Sequence, residues 1–338
     1  MNNLALTYNA RGKTEEAKKL QEEVLLLCLE LLGESHPYTL TSVSNLALTY
    51  RDCGKLEEAE HLQEKVFSLR KEQLGKNHPH TLTSMNNLAL IYGDRGKSGH
   101  AEKLQEEVFL LRKGQLGKRH PYTLTSMNNL ALTYSSCGKV EQAEKLQEEV
   151  LSLRKEILGE HHPHTLTSMN NLALTYSDRG KLDQAEKLQK AVLLLHKQQL
   201  GENHPDTLIS MSNLALTYSL HCGKTTQAEK LQEEVLSLYR QALGKCHPDT
   251  LTTMSNLAFT YLELGKVKIA KALQEEAFSL RQELLGRNHP DTLTSIQHLI
   301  FINQILEHTN KTWKLRRELQ FPVAEPEASG KRMLTKYQ

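Results

Sequence analysis

The sequence predicts an all-α fold, a right-handed superhelical solenoid of antiparallel helix pairs, and three observations carry that prediction. Asn45, Asn87, Asn129, Asn171 and Asn213 recur every 42 residues inside (N/S)NLAL(T/I)Y, with Asn3 one period earlier and Asn256 43 residues later. His-Pro pairs keep the same beat at His36, His78, His120, His162, His204, His247 and His289. Within each unit the apolar residues form two stripes at three- and four-residue spacing, which is the period of a helix. Self-similarity at this length describes a stacked array rather than a globular enzyme core.

The unit from His78 to Gly117 shows each element in turn. Pro79 has the fixed φ suited to a first helical turn, and Leu82, Met85, Leu88, Ala89 and Tyr92 then give helix A one apolar stripe. Gly96 ends it and Lys97 leads into the turn. Helix B carries its own stripe, clearest one unit earlier as Ala59, Leu62, Val66 and Leu69. Its charges follow the helix dipole, with Glu57 and Glu58 at the start and Arg70 and Lys71 near the end. Gly75 closes helix B, and the next His-Pro opens another helix A.

Two short amphipathic helices cannot bury both stripes alone, so neighbouring units supply the core. Recurring Gly-Lys pairs mark seven turns, at Gly12, Gly54, Gly96, Gly138, Gly180, Gly223 and Gly265. An eighth A-type helix begins after Pro290, with His298 in the recurring Asn slot and Leu299, Ile300, Phe301, Ile302, Ile305 and Leu306 making it more apolar. It reads as a terminal cap, so the array occupies residues 1–308. Trp313 to Leu319 suggests a last short helix within 309–321, and 322–338 has the composition of a disordered tail. Met1 holds the slot of Met85, so the chain opens in the middle of a helix A, as a piece of a longer protein would.

Composition narrows the function classes. Lys+Arg 42 against Asp+Glu 40 gives a net charge of +2, which makes no electrostatic case for nucleic acid. No apolar run approaches the roughly 20 residues that span a bilayer, and the start has no signal core, so a reduced cytoplasm is expected and no membrane partner. Cys53, Cys137 and Cys222 precede the Gly-Lys turns two repeats apart, alternating with Arg11, Arg95 and Arg179. Helices packed about 8–10 Å apart keep them beyond disulfide reach, so all five cysteines are expected as thiols.

The spacing from Met85 to Leu88, Ala89, Tyr92 and Ala101 resembles the tetratricopeptide repeat, with Met for its usual Trp and Ala for its Gly. The lengthened unit with LG-x-x-HP-x-T-L linkers resembles the repeats of kinesin light chains, and also the arrays that follow the nucleotide-binding domain in fungal and bacterial NB-ARC signalling NTPases. The resemblance implies a non-catalytic protein-interaction scaffold that takes a peptide or protein in a concave groove lined by helix A. Under the alternative reading, the chain is the sensor array of an NB-ARC-type switch. Kinesin light chains add a heptad coiled coil, which is missing from this sequence. A P-loop is missing too, because Gly54-Lys55 and Gly138-Lys139 lack the upstream glycine and strand.

The tandem asparagines are the candidate site. Asn costs up to about 0.7 kcal/mol relative to Ala inside a helix, so its return at one turn of helix A needs a compensating interaction. Projection puts Thr83, Asn86, Asn87, Leu90 and Asp94 on one face, opposite much of the apolar stripe. By the resemblance, Asn45, Asn87, Asn129, Asn171, Asn213 and Asn256 point into the groove, where a carboxamide can hold a peptide backbone. An equally weighted reading makes them a structural ladder from repeat to repeat. Grooves that clamp a terminal carboxylate have Lys or Arg one turn before such asparagines, whereas Thr41, Thr83, Thr125, Thr167, Ile209 and Thr252 stand there. The groove therefore reads as polar and neutral.

Other constellations carry no chemistry. Successive His-Pro histidines lie about 8–10 Å or more apart, too far for ligands that must each lie about 2 Å from one zinc ion, so no metal is expected. Glu106-Glu107 and Glu148-Glu149 read as a solvated face of helix B among Lys and Gln. Asn310-Lys311-Thr312 fits a glycosylation acceptor by chance. No nucleophile has a positioned base, so neither catalysis, a cofactor nor a small-molecule substrate is expected.

Overall fold

A computed structural model describes residue 8, residues 14–221 and residues 223–318, with side chains from 15 to 307. The described residues form fourteen helices and no strand. They run α1 Thr14–Leu32, α2 Pro37–Asp52, α3 Leu56–Leu74, α4 Pro79–Asp94, α5 Ser98–Leu116, α6 Pro121–Ser136, α7 Val140–Leu158, α8 Pro163–Asp178, α9 Leu182–Leu200, α10 Pro205–Leu220, α11 Thr225–Ala242, α12 Pro248–Glu263, α13 Val267–Leu285 and α14 Pro290–Glu318. The chain divides into two compact units, Met1–Gln199 and Leu200–Gln338. Within each, every helix packs on the next, and A-type helices also touch the A-type helix one repeat away.

The start of each A helix follows from its His-Pro pair. Pro supplies the first helical residue, and the preceding His accepts the otherwise orphaned amide of the second with its ring Nδ1, at 3.1–3.3 Å in all seven copies. An accepting ring nitrogen carries no proton, so these imidazoles hold theirs on Nε2. The Gly-Lys turns end the A helices with φ between 71° and 84°, as the sequence anticipates. Gly75, Gly117 and Gly159 close the B helices differently. Their φ near 80° comes with ψ near 165°, an extended mirror region that side chains are excluded from.

The core is a series of slabs, each built from three helices in sequence. One joins Leu151 of α7 to Leu166, Met169 and Leu172 of α8 and Val192 of α9. Its counterpart in the second unit joins Leu236 of α11 to Leu251, Met254 and Leu257 of α12 and Ala277 of α13. Small Ala59, Ala101, Ala143, Ala185, Ala228 and Ala270, all within 1% of complete burial, let the paired helices approach closely.

Three expectations need revision. The stretch expected as a separate short helix at Trp313–Leu319 is, as far as Glu318, the continuation of α14, because nothing between Pro290 and Glu318 breaks the helix. Glutamine in the KLQEE stretch belongs to the interior: Gln21, Gln63, Gln105, Gln147, Gln189, Gln232 and Gln274 are all buried. The adjoining glutamates are pinned rather than loosely solvated, with Glu106 and Glu148 accepting the phenols of Tyr134 and Tyr176, and Glu107 and Glu149 paired with Lys76 and Lys118. Cys28, Cys53, Cys137 and Cys246 form no disulfide, and Cys222 lies outside the described residues, as do the expected 322–338 tail and the glycosylation triplet's side chains. No described helix is long and apolar enough to cross a membrane.

Candidate interaction face

The recurring asparagines all lie half-buried on their A helices: Asn45 on α2, Asn87 on α4, Asn129 on α6, Asn171 on α8, Asn213 on α10 and Asn256 on α12. In the first unit three of them reach across to the preceding A helix. Asn87 Nδ2 donates to Ser44 Oγ at 3.4 Å, Asn129 Nδ2 to Asn86 Oδ1 at 2.7 Å and Asn171 Nδ2 to Asn128 Oδ1 at 3.0 Å. Each donor is the second residue of its pair and each acceptor the first residue of the pair before. B-helix glutamines join from beneath, Gln105 Nε2 donating to Asn86 Oδ1 at 3.2 Å while Gln63 Oε1 accepts from Ser44 Oγ at 3.0 Å. These are inter-repeat rungs. Among the described bonds, the Oδ1 atoms of Asn87, Asn129 and Asn171 accept none, so each carboxamide keeps an acceptor.

Outside the rungs, one face of each A helix stays open. Residues at i, i+4, i+7 and i+11 share that face, giving Thr41, Asn45, Leu48 and Asp52 on α2 and Thr83, Asn87, Leu90 and Asp94 on α4. The same register holds Thr125, Asn129, Leu132 and Ser136 on α6 and Thr167, Asn171, Leu174 and Asp178 on α8. Every threonine in it donates back to the proline carbonyl of its first turn at 2.9–3.0 Å. With its hydroxyl proton engaged, the threonine adds a methyl group to the exposed Leu90 and Leu132.

A row of cations lies under this face that sequence reasoning missed. Arg70 Nη1 donates to Ser84 Oγ at 2.9 Å and to the His80 carbonyl at 3.3 Å, and its Nη2 reaches Thr41 Oγ1 at 3.1 Å. Arg112 and Arg154 repeat the first two contacts on Ser126 and Tyr122, and on Ser168 and His164. Arg70 and Arg154 are only 6% and 4% exposed. Every acceptor is neutral, and burial pulls the ionisation of all three guanidiniums downward with no carboxylate opposing it. The available signal was an arginine 14 residues before a serine of the next helix A, a spacing longer than the helical periods that reveal stripes.

At the other end of the same helices the charge reverses. Asp52, Asp94 and Asp178 are the last residues of α2, α4 and α8. Arg51 is 2.9 Å from Asp52 and 3.5 Å from Asp94, and Asp178 accepts from Ser135 Oγ at 3.4 Å. Desolvation holds the carboxyls of Asp94 and Asp178 above the usual range, against Arg51 in the first case and Ser135 in the second.

Comparison with known proteins agrees with this architecture. Tetratricopeptide repeat family models match residues 40–114, 122–193 and 176–241, and a second such model matches 1–38 and 250–291. A Podosopora anserina structure, described as nearly identical TPR-like repeats of a protein designated kinesin light chain, is 32% identical over 61% of this chain and 97% of its own, with a TM-score of 0.51. BtubC (BKLC) from P. vanneervenii is 21% identical over 70% of this chain and 92% of its own, with a TM-score of 0.51. A repeat protein from Parabacteroides merdae is 16% identical over 88% and 96%, with a TM-score of 0.55; these last two speak for the fold alone. No curated protein relative matches the sequence.

Proposed function

The chain belongs to the tetratricopeptide repeat family, and from that premise we propose that it is a non-catalytic scaffold that binds a peptide or protein on the open face of its A helices. The observation that carries this reading is the strip of half-apolar positions on α2, α4, α6 and α8, with exposed Leu90 and Leu132, back-bonded threonines and asparagine oxygens that no donor among the described residues uses. Apolar area gives such a surface affinity, and the unused acceptors suit the amides of an extended chain. Asn87, Asn129 and Asn171 then act twice, holding repeats in register where they donate and facing the ligand where they accept, while Asn45, Asn213 and Asn256 take only the second role. The finer reading, a cargo-adaptor array of the kinesin-light-chain type, draws support from the 32% identity to the Podosopora anserina repeats. No feature of the described residues favours the NB-ARC sensor over it.

The test is peptide selection from a random display library against the full chain, followed by blocking. Leu90→Trp with Leu132→Trp should abolish binding of the selected peptides, whereas Leu110→Trp with Leu194→Trp, exposed positions on B helices, should leave it intact. Peptides blocked only by the B-helix pair, or no selectable peptide at all, would overturn the assignment.

A further inference from the structure

Helix α13 departs from the other B helices in two neighbouring slots. Two residues after the small alanine of each pair, the B helices before it carry Lys19, His61, Lys103, Lys145, Lys187 and Lys230, where α13 has Ala272. One residue before that alanine, a polar side chain, Gln142, Gln184 and Gln227 in the three nearest B helices, gives way to Ile269, which is 54% exposed. On α11, Leu236 holds the slot of the larger Phe67 and Phe109. Long cations cover those rings in the first unit, with Lys71 over Phe67 at 5.9 Å and Lys113 over Phe109 at 5.7 Å. Around α13 both the ring and a covering lysine are missing.

The space they leave is a cavity of about 610 Å³ among α11, α12 and α13, a size that takes small organic ligands. Leu236 and Leu257 line it from the core slab, and Ile269, Ala272 and Leu273 add an apolar wall. Its polar side comes from α11, where Arg240 stands in the slot of Lys71 and Lys113. Arg240 reaches both carboxylate oxygens of Glu276 at 3.1 Å, through Nη2 alone. Among the described bonds its Nη1 has no acceptor, and its Nε is closed off from water without one. A guanidinium held by one of its three nitrogens keeps donors to offer. The other charges of the lining are acidic: Glu276, and Glu233, which accepts the Tyr261 phenol at 2.7 Å. Two carboxylates against one arginine leave the cavity with an excess of negative charge.

We propose that this cavity binds a small nitrogen heteroaromatic molecule, uncharged or weakly basic, whose flat body lies against Ile269, Ala272 and Leu273 and whose ring nitrogen accepts a hydrogen bond from Arg240. Apolar area holds the body, and the planar guanidinium favours a planar partner. The open Nη1 donor fixes its orientation. An acid of the same shape meets the surplus carboxylate and is disfavoured. The cavity shares no residue with the A-helix strip of the Met1–Gln199 unit, so it stands or falls apart from the scaffold reading.

Isoquinoline is the probe, titrated into the methyl-labelled full chain and followed by the NMR signals of Ile269 and Leu273, which should shift and saturate. Two variants use residues that the repeat itself places in these slots: Ala272→Lys, as at Lys103 and Lys145, and Arg240→Leu, as at Leu29. Both should keep the circular dichroism of the parent. Ala272→Lys should refill the space and abolish the shifts at Ile269, and Arg240→Leu should weaken binding about tenfold, the loss of one hydrogen bond from a charged donor. 2-Naphthoate, equal in shape but anionic, should bind about tenfold more weakly than isoquinoline to the parent chain. No saturable shift at Ile269, unchanged affinity in either variant, or tighter binding of 2-naphthoate would overturn the site.

Discussion

Met85, Met127 and Met169 in the Met1–Gln199 unit and Met211 and Met254 in the Leu200–Gln338 unit occupy one slot, and all five are at most 1% exposed. The polar groups around them differ between the units. Where α6 and α8 carry Asn128-Asn129 and Asn170-Asn171, α10 and α12 carry Ser212-Asn213 and Ser255-Asn256. Ser212 Oγ donates back to the Leu208 carbonyl at 3.0 Å and Ser255 Oγ to that of Leu251 at 3.3 Å, and among the described bonds none joins Asn256 to Ser212. The second residue of the A helix changes too, from Tyr38, His80, Tyr122 and His164 to Asp206, Asp249 and Asp291. A hydroxyl on a short arm can donate within its own helix, as at Ser212 and Ser255, and joins a rung only as acceptor, as at Ser44, whereas a carboxamide is long enough to reach the next helix itself. The apolar slot therefore sets the fold in both units, and the polar slot sets how tightly A helix is tied to A helix.

The strongest way to break that comparison is through the shared slot. Met127→Ala and Met254→Ala should each cost about 2–5 kcal/mol, measured by urea unfolding of the full chain. A much smaller loss at Met254 would mean that the second unit does not lean on the same core. Next comes the rung: Asn171→Ala leaves the buried Asn128 Oδ1 without its donor and should cost about 1–3 kcal/mol.

A third measurement uses the slot where the second unit places a titrating group. His298 replaces the asparagine on α14, packs edge-on against Phe259 at 4.5 Å, and keeps a buried Nδ1 without a hydrogen-bond partner. Burial first, and then the charge of Arg281, lower its pKa to about 4. The folded chain thus resists a proton that the unfolded chain accepts near pH 6.5. The stability His298 contributes is complete above that value and is lost as pH falls toward about 4. Thermal melts of His298→Asn between those limits should show a shallower pH dependence than the parent chain, and parallel curves would remove the histidine from the account. Smallest of all is Asn256→Ala: with no rung to lose, it should raise stability by at most about 0.7 kcal/mol. A clear loss there would erase the distinction between the units.

What the sequence made legible was whatever is decided within one helix. Pro79 and Gly96 bracket α4, and Leu82, Met85, Leu88 and Ala89 are its buried stripe. The ring of His78 as the capping acceptor belongs to the same local class, although only its place at the helix start was anticipated. What stayed hidden depends on register between helices. That Asn129 donates and Asn86 accepts follows from how far α6 is shifted along α4, which no window of one unit encodes. Arg70 reads from sequence as the basic end of its B helix, yet it, like Arg112 and Arg154, threads under the next A helix, so the face that its threonines mark as neutral overlies cations. The extent of α14 was misjudged because the repeat pattern fades there while helix propensity does not.

The rungs have one more consequence, for the time the chain needs to fold. The bonds that tie A helix to A helix close loops of 43 residues, and those that Arg154 and Gln63 send from B helix to the next A helix loops of 10 to 21, in a chain of 338. Sequence separation between partners stays a small fraction of the length, so little loop entropy is lost before a contact forms. No end of the array has to wait for another. Structure can begin in whichever repeat first closes its slab and then spread outward one neighbour at a time, and it can melt back from an edge in the same increments.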